Sequence, residues 1–408
     1  MLKAFQPGGL LSFKDYRRLF ISSTLVNLGA SAFPIALAVA VLENGGGATE
    51  LGLILGSRVL ASILFVLVGG VWADRIRRKF VMIGADVFRG GLAAILVFAT
   101  LPSVPHWIMA LIVFLMGIGD AFGAPASSSI MPSILPTEKL GAGNVLRNVT
   151  ARMAQIVGPG IGGLSVATIG ARPTFFIVTF FFVVGTIILV PINEPKPVKS
   201  ADKPPAFIVE LREGLRIVWS MPWIAASIAM ASVQLMVVMG TENVLLPVIT
   251  RREFHTNSVF ALATAAFSIG GSISAFLALR FKAKQPGLVS VGVWGAFAIA
   301  PLALAFPISP TFVVISYLIA GVSIGPWDAY WSVAIQREVP QKFQGRVFSV
   351  DHMGSVGLMP IGMALAGPLT HLFGERPFLI TAVVFHVLIC ILVLRVPGVK
   401  ELKTPVSK

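Results

Sequence analysis

Apolar runs of about 20 residues recur along the whole chain, and they constrain its fold more than any other feature. A helix needs about 20 apolar residues to cross a bilayer, roughly twice what a strand of a membrane barrel needs. In lipid, backbone hydrogen bonds are satisfied only within a helix or a closed barrel. We therefore predict an all-α integral membrane protein. Its twelve transmembrane helices are placed at 17–42, 51–72, 80–101, 106–126, 144–169, 173–192, 222–248, 258–280, 288–307, 311–334, 346–372 and 376–396.

The composition is that of a membrane protein. Hydrophobic residues make up 56% of the 408 residues, charged residues make up 12%, and the mean hydropathy is +0.87; soluble domains have about 25% charged residues. The net charge of +14 lies in short segments between the apolar runs, so nucleic acid is not an expected partner. The single cysteine, Cys390, gives no basis for a disulfide framework or a metal cluster, and no cofactor is expected.

The distribution of lysine and arginine predicts the orientation of the spans. With both termini in the cytoplasm, 24 of the 32 lysines and arginines fall in cytoplasmic segments, four in external loops and four within spans. Cytoplasmic loops of membrane proteins carry an excess of these residues, and the opposite orientation would violate that rule strongly. We therefore expect a multi-pass protein with both termini cytoplasmic.

A Pro- and Lys-rich segment, NEPKPVKSADKPP at 193–205, divides the chain near its middle. We predict an N-terminal six-helix bundle at 1–192, a cytoplasmic linker at 193–221 and a C-terminal six-helix bundle at 222–408. The linker ends in AFIVELREGLRIVWS, where apolar and charged residues fall on different helical faces. This pattern indicates either an amphipathic helix at the membrane surface or a polar lead-in to the seventh span.

The two halves resemble each other when the chain is shifted by 204 residues. Pro136 then aligns with Pro340, and Gly158 aligns with Gly362. Weak similarity that falls at the same place in both halves is typical of a duplicated helical unit. The sequence thus predicts two pseudo-symmetric bundles.

The chemical motifs exclude several classes of protein. The sequence lacks the G-x-x-x-x-G-K-[ST] loop of ATP-driven machines, so any transport must be secondary or passive. GPGIGG at 158–163 matches the dinucleotide pattern G-x-G-x-x-G, but it lies inside an apolar span and contains Pro159, so no nucleotide site is predicted. Neither a catalytic triad nor a metal-ligand cluster is recognisable, and an enzyme is not expected.

Two stretches resemble signatures of the major facilitator superfamily. GVWADRIRRK at 70–79 resembles the loop between spans two and three, G-x-x-x-D-R-x-G-R-R/K, with Arg77 in place of the second glycine. GPGIGG at 158–163 resembles the fifth-helix signature G-P-x-x-G-G of proton-coupled exporters. DYRRLF and QGRVFS are similar to segments of the same group. Over essentially its whole length the chain resembles the twelve-span bacterial drug and siderophore exporters related to macrolide-efflux and enterobactin-export proteins.

The resemblance implies a fold and a function. The fold would be the major facilitator fold, in the bacterial inner membrane, with a monomer as the expected state. The function would be secondary active export of a small amphipathic compound of the drug, antibiotic or siderophore type in exchange for protons, by alternating access. A lysolipid or lipid flippase and a nutrient importer of the same fold are the alternatives, and a non-transporting membrane sensor is the remote one.

The charged loop after span two is interpreted as a conformational latch that consists of Gly70, Asp74, Arg75, Arg78 and Lys79. The negative charge of Asp74 would be stabilised by the positive N-terminus of span eleven, near Gly345 and Arg346. The cations would hold the loop at the membrane surface or against a carboxylate such as Asp86. A basic loop that sets topology alone would explain the cations but not the aspartate.

The fifth-helix motif supplies Gly158, Pro159, Gly162 and Gly163. Glycines four residues apart let two helices approach closely. Packing alone is one interpretation, and a bending or leak-sealing role during transport is the other.

Charged residues inside a membrane are functional candidates because their burial is costly. The resemblance places spans one, four, seven and ten around the cavity, and a carboxylic acid removed from water holds its proton more readily. The candidates for proton coupling are Asp120, Glu242, Asp328 and, beside His352, Asp351. The alternative is that Asp120 and Asp328 are solvated near the cytoplasmic ends and that Glu242 caps the outer mouth.

The same mapping gives candidates for the substrate cavity: Arg147, Arg152, Phe33, Trp327, Tyr330 and Trp331. The two arginines would either stabilise the charge of Asp120 or hold an anionic substrate. The aromatic residues would bind a flat apolar compound, with lipid-facing packing as the alternative. Asp86 and Arg89 lie three residues apart on one helix face and are expected to pair with each other or with the loop charges, whereas Arg58 lies where it can extend toward the external interface.

Overall fold

The computed structural model describes residues 9–195, 207–278, 280 and 283–403, and these residues form α-helices joined by short turns. The first half of the chain contains α1 Lys14–Glu43, α2 Ala48–Arg75, α3 Arg78–Ala99, α4 His106–Ser129, α5 Leu140–Ile169 and α6 Ala171–Leu189. The second half contains α7 Phe207–Ser220, α8 Pro222–Gln234, α9 Thr241–Phe254, α10 Ser258–Ala278, α11 Pro286–Trp294, α12 Ile299–Ala305, α13 Pro310–Glu338, α14 Gln341–Val356, α15 Met359–Phe373 and α16 Glu375–Val393.

Three spans of the second half are each built from two helices. A π-helical turn, Leu235–Gly240, joins α8 to α9, and a 3-10 turn, Gly295–Ala298, joins α11 to α12. The break between α14 and α15 falls at residues 357–358. Within the described residues, eleven helical segments are long and apolar enough to cross a membrane when these pairs are taken together. The predicted span at 144–169 coincides with α5, a 30-residue helix that is not among these eleven.

Helix ends follow the local sequence. The Glu50 carboxylate accepts a hydrogen bond from the Gly47 N–H at 2.8 Å and so caps the N-terminus of α2. Ser309 caps α13 by accepting from the Phe312 N–H at 3.1 Å. Such contacts satisfy backbone donors that have no partner inside the helix.

Contacts between helices divide the chain into two units, Met1–Ala201 and Asp202–Lys408. In the first unit α2 packs on α4, α1 packs on α5 and α6, and α3 packs on α4 and α6. In the second unit α10 packs on α13, α15 packs on the π-helical turn, and α16 packs on α12. Each unit is therefore a bundle of long helices.

The glycines of α5 sit at a close helix crossing. A Cβ atom at Gly158 would lie 2.4 Å from the Ser31 Cβ, and one at Gly162 would lie 2.8 Å from the Ala32 carbonyl oxygen. Only glycine allows α5 and α1 to approach this closely. Pro159 and Gly163 are also buried in α5.

The α7 helix packs on α14 in the second unit. A Cβ atom at Gly214 would lie 3.0 Å from the Arg346 carbonyl oxygen, and the Arg346 guanidinium forms an ion pair with Glu213. Trp219 is 74% exposed. The predicted amphipathic segment is thus helical from residue 207, and its placement at a membrane surface stays a prediction.

Candidate substrate and proton sites

A polar cavity of about 300 Å³ lies inside the first unit, between α1, α3, α4 and α5. Small and polar residues form most of its wall, and four charged residues contribute to it. The lining residues are Ser22, Ser23, Val26, Asn27, Met82, Asp86, Arg89, Asp120, Gly123, Ala124, Ser127, Arg147, Asn148 and Ala151. We call this the first-unit cavity.

A chain of alternating charges runs along one side of the first-unit cavity. Arg58 on α2 donates from Nε to Asp120 Oδ2 on α4 at 2.8 Å. Arg89 on α3 donates to Asp120 Oδ1 at 2.9 Å and also bonds to Asp86. Two cations and two anions therefore neutralise one another across three helices. Burial of charge within a membrane protein is tolerated when the charges are paired in this way.

Two aromatic rings complete the network. The Arg58 guanidinium lies 4.8 Å from the centre of the Phe33 ring, and the Arg89 guanidinium lies 4.9 Å from that of Phe182. The face of an aromatic ring carries the negative part of its quadrupole and attracts a cation in this geometry. Phe33 is fully buried and also packs on Phe175 at 5.9 Å.

These contacts bear on three expectations from the sequence. Arg58 points into the bundle toward Asp120 rather than toward the external interface, because that carboxylate offers a stronger interaction. Phe33 is not part of the wall of the first-unit cavity, because Arg58 and Phe175 cover it, and a role for it in binding substrate stays a prediction. The expected pairing of Asp86 with Arg89 is confirmed, although Arg89 also bonds to Asp120.

The two arginines of α5 differ in their surroundings. Arg147 lines the first-unit cavity and makes one long hydrogen bond, 3.4 Å from Nη1 to the Ser127 carbonyl oxygen. Its Nε is buried without a hydrogen-bond partner. Arg152 is exposed and does not line this cavity. The carboxylate of Asp120 is instead neutralised by arginines of α2 and α3.

Glu242 is the buried carboxylate of the second unit. It is 4% exposed and lies at the start of α9, directly after the π-helical turn. The Tyr317 hydroxyl of α13 lies beside it, but Glu242 Oε2 and the Tyr317 hydroxyl each lack a hydrogen bond of normal geometry. Among the described residues of this unit, no arginine or lysine pairs with Glu242.

The other predicted residues of the second unit form an aromatic cluster. Trp331 donates from Nε1 to Asp351 Oδ2 at 2.9 Å, and its ring stacks on Trp327 at 5.3 Å with an interplanar angle of 12°. Trp331 is only 5% exposed, because its contacts with Asp351 and Trp327 cover it. It therefore offers little surface to a substrate. Asp328 is exposed, and Tyr330 and Trp327 are partly buried.

The loop after α2 is held by a carboxylate that sequence reasoning missed. Glu194, just beyond α6, accepts hydrogen bonds from the backbone N–H groups of Arg78 at 3.1 Å and Lys79 at 2.8 Å. The expected partner Asp86 bonds to Arg89 instead. The only signal in the sequence was an acidic residue directly after the sixth apolar run. Arg75 is exposed, Gly70 has open space around it, and the side chain of Asp74 lies outside the described residues.

A second buried network was also missed. Gln234 accepts a hydrogen bond from the Trp294 indole at 2.7 Å and donates to the His386 carbonyl oxygen at 3.2 Å and to Cys390 at 3.3 Å. His386 Nε2 lies 3.0 Å from the Trp294 carbonyl oxygen. These contacts tie α8, α11 and α16 together.

Long apolar helices in two bundles, with a charged cavity and an isolated buried acid, define a membrane transporter of the secondary type. The chain belongs to the Major Facilitator Superfamily, whose sequence pattern matches residues 19–356. The predictions of the family, of the all-α membrane fold and of a transporter rather than an enzyme are confirmed.

Relatives and solved structures agree with this assignment. The multidrug efflux pump Tap of Mycolicibacterium fortuitum is 26% identical over 378 residues, which cover 89% of this chain and 90% of that protein. Macrolide efflux protein A of Streptococcus pyogenes is 26% identical over 315 residues, which cover 75% and 76%. Two crystal structures share the fold: the nucleoside transporter NupG (TM-score 0.72, 13% identity, 93% of this chain and 98% of that chain) and a D-xylose-proton symporter (TM-score 0.72, 14% identity, 95% and 99%).

Proposed function

We propose that this protein exports a small amphipathic compound of the drug, antibiotic or siderophore type in exchange for protons. Relatives named as a multidrug efflux pump and a macrolide efflux protein support export of such compounds. The polar first-unit cavity supports a site for a small molecule, because cavities of about 300 Å³ and larger suit such ligands. The protein would work in the bacterial inner membrane as a monomer with both termini cytoplasmic.

The observation that carries proton coupling is the isolation of Glu242. Asp120 is held by two arginines, so its negative charge is compensated where it lies. Glu242 is buried with no described cation beside it. A negative charge there costs several kcal/mol, and binding of a proton removes that cost. Glu242 is therefore the carboxylate we assign to proton transfer, in preference to Asp120, Asp328 and Asp351.

The proposed cycle needs two states of the transporter that substrate and proton favour unequally. A proton on Glu242 favours the state in which this residue is enclosed, and loss of the proton requires access to water. The neighbouring π-helical turn provides a place where the span can change shape, since such turns interrupt regular helical hydrogen bonding.

Proton release from inside-out vesicles tests this assignment. The vesicle lumen is acidified, a panel of antibiotics, dyes and siderophores is added, and lumenal pH is followed. We expect substrate-dependent proton release that falls to the level of empty vesicles in Glu242→Gln, because glutamine keeps the shape but cannot carry the proton. Glu253→Gln is the matched control, since Glu253 lies near the end of the same helix in an exposed pair with Arg252.

Two outcomes would contradict the proposal. Normal proton release by Glu242→Gln at wild-type abundance would exclude Glu242 as the carrier. Transport of a compound by the wild type without any proton movement, in vesicles where a known antiporter responds, would exclude antiport.

A further inference from the structure

The first-unit cavity contains one more cation than its carboxylates neutralise. Asp86 and Asp120 are the acidic residues of its wall, and Arg58 and Arg89 already bond to them. Arg147 is the remaining charged residue of the wall. The cavity and its network therefore carry a net charge of about +1, and this charge can favour some substrates over others.

The guanidinium of Arg147 is also short of hydrogen bonds. It offers five N–H donors, of which one makes the long contact with the Ser127 carbonyl oxygen. The buried Nε has no partner. Its phenolic neighbour Tyr16 donates to the Gly143 carbonyl oxygen at 3.0 Å, and among the described residues no hydrogen bond joins the Tyr16 hydroxyl to the arginine. Donors left in this way favour a ligand that supplies acceptor oxygens.

We propose that the first-unit cavity binds the anionic oxygen group of an amphoteric compound through Arg147. This inference rests on the proposed export function and adds the charge class of the substrate. An arginine fork matches the two oxygens of a carboxylate, and such charge-assisted bonds are about twice as strong as neutral ones. Ser23, Asn27 and Asn148 line the same wall and supply neutral polar groups around the anion.

A purely cationic compound suits this wall less well. Its positive group would meet Asp86 and Asp120, whose oxygens already accept from Arg58 and Arg89. It would have to displace an arginine and leave that residue buried without its partner, which is costly. The volume of about 300 Å³ lies at the lower end of ligand cavities, so the site fits a small compound or the polar end of a larger one.

A matched pair of fluorescent compounds tests the proposal. Norfloxacin carries a carboxylate and an amine, and its methyl ester keeps the amine but has a neutral ester in place of the carboxylate. Binding to the purified full-length protein is measured by equilibrium dialysis. We expect the acid to bind about tenfold more tightly than the ester, which corresponds to about 1.4 kcal/mol.

Variants of Arg147 then locate the anion. Arg147→Gln should lower binding of the acid to the level of the ester and leave the ester unchanged. Arg147→Lys should retain part of the preference, because lysine keeps the charge but lacks the fork. Arg172→Gln removes an exposed arginine at the start of α6 and should change neither compound.

Three results would overturn the proposal: equal binding of acid and ester by the wild type, a preference for the acid that survives Arg147→Gln, or no binding of either compound. Each leaves proton-coupled export to be judged by the Glu242 vesicle assay, which uses compounds of every charge. The charge class can therefore fail while the export function stands.

Discussion

The two units share their helix crossings but not their interior charges. On the shift of 204 residues, Gly158 and Gly362 are equivalent, and both lie against the first span of their own unit. Gly170 and Gly374 are also equivalent, and each turns the chain with a positive φ, 89° and 83°, between two helices. The polar groups do not follow this repeat. Asp120 corresponds to Ile324, and Glu242 corresponds to Ala38.

This difference separates what the fold requires from what the chemistry requires. Close crossings and tight turns need small or glycine residues wherever they occur, so both units retain them. Charges are not needed for a bundle to form, so each unit is free to carry its own set. The first unit holds a paired network with one extra arginine, and the second holds an isolated acid. This difference supports a division in which the first unit binds the charged group of the substrate and the second unit carries the proton.

The largest expected effect comes from breaking the charge network of the first unit. Asp120→Asn leaves Arg58 and Arg89 without their shared carboxylate, and loss of one partner in a buried pair costs about 3–5 kcal/mol. Thermal unfolding of the purified protein should show a markedly lower Tm. Asp15→Asn is the control, because Asp15 pairs with Arg18 near the surface and such a pair contributes about 0–1 kcal/mol.

Replacement of the whole network provides a rescue. Arg58→Leu, Asp86→Leu, Arg89→Leu and Asp120→Leu together remove all four charges, and apolar replacement of a whole buried network is often neutral or stabilising. This quadruple variant should regain most of the lost Tm and still fail to transport. A Tm for Asp120→Asn equal to that of Asp15→Asn would show that the network does not stabilise the unit.

A smaller effect is expected where the two units agree. A Cβ atom at Gly362 would lie 1.8 Å from the Met236 carbonyl oxygen, and at Gly158 2.4 Å from a side-chain atom of Ser31. Overpacking of this kind costs about 1–3 kcal/mol, so Gly362→Ala and Gly158→Ala should both lower the Tm, the former more. Gly160→Ala places its Cβ atom in open space on α5, the helix of Gly158, and should leave the Tm unchanged. Equal values for all three would mean that the crossings are not tight.

The smallest effect on the Tm is expected in the loop after α2. Glu194→Gln loses the charge that strengthens two hydrogen bonds from backbone N–H groups, and we expect the free energy of unfolding to fall by about 1 kcal/mol with transport retained. An unchanged Tm for Glu194→Gln would show that these contacts do not contribute to stability.

Asp74→Asn, which removes the proposed latch, should abolish transport while abundance and Tm stay normal. Normal transport by this variant would refute the latch.

The sequence was sufficient to place the helices because the signal for a span is local. The predicted span at 144–169 lies within α5, and that at 222–248 covers α8, the π-helical turn and most of α9. Apolar length fixes such segments without knowledge of their neighbours. The π-helical turn itself was not predicted, because Leu235–Gly240 reads like any other apolar stretch.

The contacts of the site were harder to predict because they depend on which helix faces meet. Arg58 and Asp120 are 62 residues apart, and no periodicity links them. Asp86 and Arg89 were recognisable as a pair only because they share one helix. The burial of Phe33 follows from the position of α6, which supplies Phe175, and this position is a tertiary property.

The charge network also has a consequence for biosynthesis. Arg58 leaves the ribosome 62 residues before the carboxylate that neutralises it, so α2 completes its synthesis with an uncompensated arginine near its middle. Partitioning such a helix into lipid alone is unfavourable. We therefore expect α2 to reach its full stability in the bilayer only after α4 has been made and Asp120 can pair with Arg58.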